Sequence, residues 1–168
     1  MFTSVLFWVV WLSVVMLMEF WSMLVHHRLW HYSLWWGHKS HHEPRQGYFE
    51  LNDVFAVFHA GLAMFLIVYG FEAGPGHDLM IASGFGMTTF GVSYFIVHDG
   101  FIHGRLPVGF LARFSYFRRV RNAHNVHHLR DHVAPYGLFL GEWELRRLKR
   151  MKGPQHKVWG DNGRRPSQ

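Results

Sequence analysis

The chain has 168 residues, 49% of them hydrophobic and 18% aromatic, and a formal charge of +6. It contains no cysteine, which excludes disulfides, cysteine-ligated iron–sulfur clusters and thiolate-ligated haem. A pI near 10.0 would suit nucleic-acid binding, but the basic residues follow a membrane pattern, so no nucleic-acid partner is expected. The expected unit is a single compact domain over residues 1–168, without linker or low-complexity insert.

Phe2 to Val25 is broken only by Thr3, Ser4, Ser13, Glu19 and Ser22, and is long enough to cross a bilayer. It lacks the basic start of a cleaved signal peptide and runs directly into histidines, so a membrane span is expected. Glu19 inside it is expensive in lipid and predicts a structural role or one behind a metal ligand. Val54 to Phe71 reads as a second span and Leu79 to Val97 as a third, joined by a tight turn at Glu72-Ala73-Gly74-Pro75-Gly76. Leu106 to Arg119 mixes aromatics with arginines and predicts an interfacial helix, the alternative being a fourth shallow or re-entrant segment. From Glu142 a basic helix follows, suited to anionic lipid headgroups or to an acidic electron donor. Gly160 to Gln168 has the composition of a disordered tail.

All seventeen Lys and Arg lie in Arg28 to Arg45 or Arg105 to Arg165. The positive-inside rule then places the N-terminus outside, residues 26–51 inside, the Phe71–Asp78 turn outside and residues 98–168 inside. The fold class expected is an all-α, multi-pass integral membrane protein of about three transmembrane helices, with cytoplasmic helices carrying a histidine-rich di-metal site.

Ten of the fifteen histidines form two copies of one pattern. His26 and His31 precede His38, His41 and His42; His98 and His103 precede His124, His127 and His128. At this histidine content roughly 0.1 copies of H-x2-HH are expected by chance, and two occur. Neutral imidazole is the commonest protein metal ligand, and all four boxes fall on one predicted membrane face. On a helix, positions i, i+3 and i+4 share a face, so each triplet can converge on one metal. Positions i and i+5 are about 140° apart on an ideal α-helix, so each H-x4-H pair should straddle two metals or place one histidine beyond the helix end. His27, four residues before His31, competes with His26 as ligand. Asp99 and Asp131 are the acids expected to balance an all-imidazole site from behind. His59 reads as a packed helix histidine, and His77 lies in the outer turn. Ten imidazoles exceed one zinc site and fit two metals with open positions; iron suits oxygen chemistry better than redox-inert zinc.

His38 to Arg45 (HKSHHEPR), Asn52 to Val57 (NDVFAV) and His98 to Arg105 (HDGFIHGR) resemble the beta-carotene hydroxylases, non-haem enzymes of the membrane fatty-acid-hydroxylase superfamily. Met18-Glu19, Gly86-Met87-Thr88, Ala123-His124, His127-His128 and Pro135 to Gly141 extend the resemblance over about residues 18–145. The stretch between His128 and Gly137 is short for the family, His132 within it departs from the pattern, and Glu142 stands where plant-type members carry proline. The resemblance implies two Fe held by the ten box histidines and tuned by Asp99, the residue expected to complete the catalytic centre. It implies an O2-dependent monooxygenase that hydroxylates C-3 of a beta-ionone ring, taking beta-carotene to beta-cryptoxanthin and zeaxanthin. Electrons would come from a separate donor such as ferredoxin, and aromatics of the first and third spans would line an apolar channel. The rival enzyme is a fatty-acyl or sterol hydroxylase or desaturase with the same metals. A non-catalytic metal-binding or transport protein would need polar ligands at the bilayer midplane, where this chain offers only His59 and Glu19.

Overall fold

In the computed structural model, residues 4–129 and 132–152 are described, and among them every regular element is helical. Ser4 opens the first helix, its hydroxyl accepting the Phe7 N–H at 3.2 Å. Helix α1 (Val5–Val25) runs without interruption into a π-helical segment, His26–Ser33. A short α2 (Trp35–His42) follows, then α3 (Asp53–Glu72) and α4 (Asp78–Tyr94). Helix α4 also continues as a π-helical segment, Phe95–Ile102. A 3-10 turn (Gly109–Arg113), α5 (Ser115–His128) and α6 (Gly141–Lys152) complete the described chain.

Among the described residues, three continuous helices are long and apolar enough to cross a membrane: Val5–Ser33, Asp53–Glu72 and Asp78–Ile102. Their outer faces carry exposed Trp8, Leu12, Phe20, Phe58 and Phe65, as expected where the solvent is hydrocarbon. The three expected spans are borne out, and the second and third end close to where hydropathy placed them. Helix α4 packs against both α1 and α3. Glycines permit these approaches: a Cβ on Gly86 would stand 2.8 Å from Val14 Cβ, and one on Gly84 2.8 Å from the Ala63 carbonyl. Phe7, Ile81 and Ala82 form the buried core of the α1–α4 contact.

One expectation needs correction. Leu106 to Arg119 is not one helix. The 3-10 turn ends at Phe114, whose extended backbone (φ −91°, ψ 127°) redirects the chain into α5. Helix α5 lies against the second π segment over a core of Val97, Val120 and Leu138, while Phe110, Phe114 and Tyr116 of the same stretch stay exposed. Glu142 joins α6 to α5 through Arg119 at 2.7 Å and also pairs with Arg146. Asp131 and the Gly160–Gln168 tail lie outside the described residues.

Candidate metal centre

The ten box histidines meet at one end of the helical bundle, where α1 and α4 finish and α3 begins. The described side chains form two groups. His26, His31, His38, His42 and His127 bring ligand atoms within 4.8 Å of one another, and so do His41, His98, His103 and His124. His128 borders the second group, its Nε2 standing 3.2 Å from that of His41.

The H-x4-H pairs do not straddle two positions. His26 and His31 lie within the first π-helical segment, whose i→i+5 bonding is seen in Leu34 N–H to Leu29 O at 2.7 Å. His103 stands one residue past the second, beyond the helix end as the spacing allowed, its N–H still reaching His98 O at 3.0 Å. That winding stacks residues i and i+5, which bare α-helical geometry would splay apart. His26 and His31 Nε2 consequently approach to 3.2 Å.

The triplets do not converge either. In the first, His38 and His42 (i, i+4) stay with His26 and His31, while His41 crosses to the other group. In the second, His124 and His128 stay with His98 and His103, while His127 crosses back. Each group therefore takes four imidazoles from one half of the pattern and one from the other. The sequence left His26 and His27 level; the structure puts His26 in the group and stacks His27 on Tyr136 at 4.3 Å.

Hydrogen bonds fix the tautomers. His26 Nδ1–H donates to the Tyr136 carbonyl (2.8 Å), His127 Nδ1–H to the Val133 carbonyl (2.8 Å) and His38 Nδ1–H to Asn52 Oδ1 (2.7 Å). In the second group His41 Nδ1–H donates to Glu50 Oε2 and His98 Nδ1–H to Asp99 Oδ2, both at 3.0 Å. An imidazole whose proton is committed on Nδ1 presents a bare lone pair on Nε2, the state a metal requires. His26 and His38 Nε2 nonetheless stand 3.0 Å apart with no proton between them. Bare lone pairs at that distance repel unless a cation lies between, and nitrogens sharing a cation at about 2.1 Å fall roughly 3 Å apart. The residues present fit a metal ion in each group. His31 differs, since its Nδ1 takes the His132 N–H at 3.3 Å.

Electrostatics agree. Burial pushes His38 down to about 4, and His42 and His103 down to about 3, with neighbouring imidazoles adding to the effect. His41, His124 and His128 are driven well below the ordinary range by burial and by the same crowding. All are neutral near pH 7 and ready to ligate.

Asp99 stands behind His98, as the sequence suggested. Glu50 and Arg105 are the residues that sequence reasoning missed. Arg105 is buried between Glu50 Oε1 (3.2 Å), Asp53 Oδ1 (2.9 Å) and Asp99 Oδ1 (3.1 Å), so one guanidinium ties together the carboxylates behind His41 and His98. Its sequence signal was its position two residues after His103, closing the second box. Asn52 sits at the N-cap of α3 without capping it; its side chain serves His38 instead.

The remaining candidates stand apart. Glu19 is buried in α1, accepting the Leu140 N–H at 2.8 Å, which anchors the segment leading into α6. His59 donates from Nδ1 to Phe55 O and accepts the Trp21 indole N–H at 3.2 Å. His77 begins α4 at the far end of the bundle, with Nδ1 on the Gly74 carbonyl.

Three apolar helices and two imidazole groups able to hold metal at one end of them define a helical membrane protein with a candidate metal centre. The chain belongs to the fatty acid hydroxylase family, whose model matches residues 11–146. It is similar to beta-carotene 3-hydroxylase 1, chloroplastic, of Arabidopsis thaliana, with 52% identity over 130 residues, 76% of this chain and 42% of that protein. The chloroplastic beta-carotene 3-hydroxylase of an Oncidium hybrid cultivar is 45% identical over 143 residues, 84% of this chain and 47% of that one. A beta-carotene hydroxylase of Pseudescherichia vulneris is 45% identical over 114 residues, 68% of this chain and 63% of that one. The chain thus spans less than half the length of these plant relatives. No solved structure matches it.

Proposed function

We propose that this chain is a di-iron monooxygenase that hydroxylates C-3 of beta-ionone rings, taking beta-carotene to beta-cryptoxanthin and then zeaxanthin. The observation that carries the reading is the pair of imidazole groups, in one of which the bare Nε2 atoms of His26 and His38 stand 3.0 Å apart, in a chain about half identical to proteins named beta-carotene hydroxylases. His26, His31, His38, His42 and His127 would hold one iron, and His41, His98, His103, His124 and His128 the other. The pair supplies, when bound, the redox chemistry that splits dioxygen. The reaction balances as ring CH2 plus O2, two electrons and two protons giving CHOH and water, with the electrons from a separate donor such as ferredoxin.

The protein's own contribution is orientation and exclusion. Tyr136 O, Val133 O, Asn52, Glu50 and Asp99 hold five imidazole rings in the ligating tautomer. Trp30 stacked on Phe55, and Tyr94 over His98, place apolar faces against the two groups and keep water from them. The basic residues at this end of the bundle support a cytoplasmic site reached by a substrate lying along the spans. A carotene roughly matches the ~30 Å hydrocarbon thickness.

Expression in a beta-carotene-accumulating bacterium tests the reading. The expected result is mono- and dihydroxylated pigment; unchanged beta-carotene with hydroxylated or desaturated lipids would replace the assignment with a fatty-acyl one.

A further inference from the structure

The two imidazole groups share a plan but not their surroundings. Behind the first group stand neutral acceptors: the Tyr136 and Val133 carbonyls and the Asn52 amide. Behind the second stand carboxylates, Glu50 on His41 and Asp99 on His98. Glu50, Asp53 and Asp99 surround the Arg105 guanidinium, so three negative charges meet one positive within this cluster beside the second group. His31 of the first group takes a donor on Nδ1, so it is less prepared to ligate than its neighbours.

We infer that the two metal positions are inequivalent, the His41/His98/His103/His124 position binding the tighter metal and binding it first, because Glu50 and Asp99 act on it as positioning residues balanced by Arg105. A carboxylate that accepts an imidazole N–H makes that imidazole a stronger donor to a cation, and it adds negative charge in a buried setting where solvent screens it little. A backbone carbonyl or amide fixes the same tautomer without the charge. Arg105 keeps the three acids from repelling one another and from opening the site. The inference rests on the reading of this chain as a two-metal protein.

Anaerobic titration of the purified, metal-free full chain in detergent with 57Fe(II), followed by Mössbauer spectroscopy, tests it without any variant. One equivalent should give a single iron environment, and the second equivalent should add a different one. Both environments present from the start, in the proportion seen at two equivalents, would overturn the inference. Asp99→Asn and Glu50→Gln keep an acceptor but remove its charge. Each should weaken the first-filling equivalent about 10–100-fold and leave the second unchanged, whereas Asn52→Ala should weaken only the second. Wild-type affinities in both isosteric amides would sink the charge argument, because shape alone would then suffice. Two equal irons together with hydroxylated pigment would defeat this inference and spare the proposed function; a chain that takes up no iron would overturn both.

Discussion

The two imidazole groups are built alike and backed differently. Each begins with an i, i+5 pair at the π-wound end of a long apolar helix, adds an i, i+4 pair from a later helix in its half of the pattern, and borrows one ring from the other half. Around the first group lie Trp30, Trp35 and Tyr136; around the second lie Glu50, Asp99 and Arg105. The lesson is that a repeat in ligands need not be a repeat in environment. Ligand placement follows the backbone winding shared by both halves, while charge is placed by side chains that are not repeated: Asp99 on the second π segment, where the first carries His27, and Glu50 and Arg105 in loops.

The strongest way to break the comparison is to remove a borrowed ring. His41→Ala or His127→Ala takes a ligand from the group opposite its own triplet, and each should lower pigment hydroxylation by more than ~100-fold, with about one iron lost by elemental analysis. Full activity in either variant would refute the crossing. Asn52→Asp should sharpen the comparison instead, giving His38 a charged partner like that of His41. The gap between the two iron affinities should narrow about tenfold, read by chelator competition.

Acid should act on both groups of the metal-free protein. His38, His41, His42, His103, His124 and His128 are held neutral below the ordinary histidine pKa by burial, so the unfolded chain binds more protons than the folded one once pH falls below about 6.5. Stability is therefore complete above that value and lost on descending toward the folded values of about 4 for His38 and about 3 for His42 and His103. Thermal melts should be flat above pH 7 and fall steadily from pH 6.5 to pH 4; a flat profile throughout would contradict the burial.

Far from both groups, Gly86→Ala would press a Cβ against Val14 and the Trp11 carbonyl. It should lower stability by about 1–3 kcal/mol without changing iron content. Smallest of all, Lys39→Ala removes an ion pair to Glu43 at 3.1 Å whose partners are both 56% exposed. A loss of no more than about 0.5 kcal/mol is expected in denaturant melts.

Much of this architecture was legible in the chain. Hydropathy located three spans because lipid demands long apolar runs, and the distribution of Lys and Arg put the boxes on one face. Less legible was the winding. Spacing rules assume 3.6 residues per turn, and nothing in His26-His27-Arg28-Leu29-Trp30-His31 signals a π helix, since that winding is sustained by packing around it. The exchange of His41 and His127 was hidden for a related reason: a shared helix face says where a ring points, not which neighbour waits there. Glu50 and Arg105 look like ordinary polar residues near segment ends, and only the fold joins them across 55 positions of chain.

Because His41 and His127 are exchanged, the doubled motif is not a doubled module. Cut between α3 and α4, the chain would yield two pieces, each holding four rings of one set and a stray ring of the other. Neither piece holds all the rings of either group, while the two together do. The arrangement is that of a domain-swapped pair joined into one polypeptide, in which the halves are held to each other by the parts they have traded.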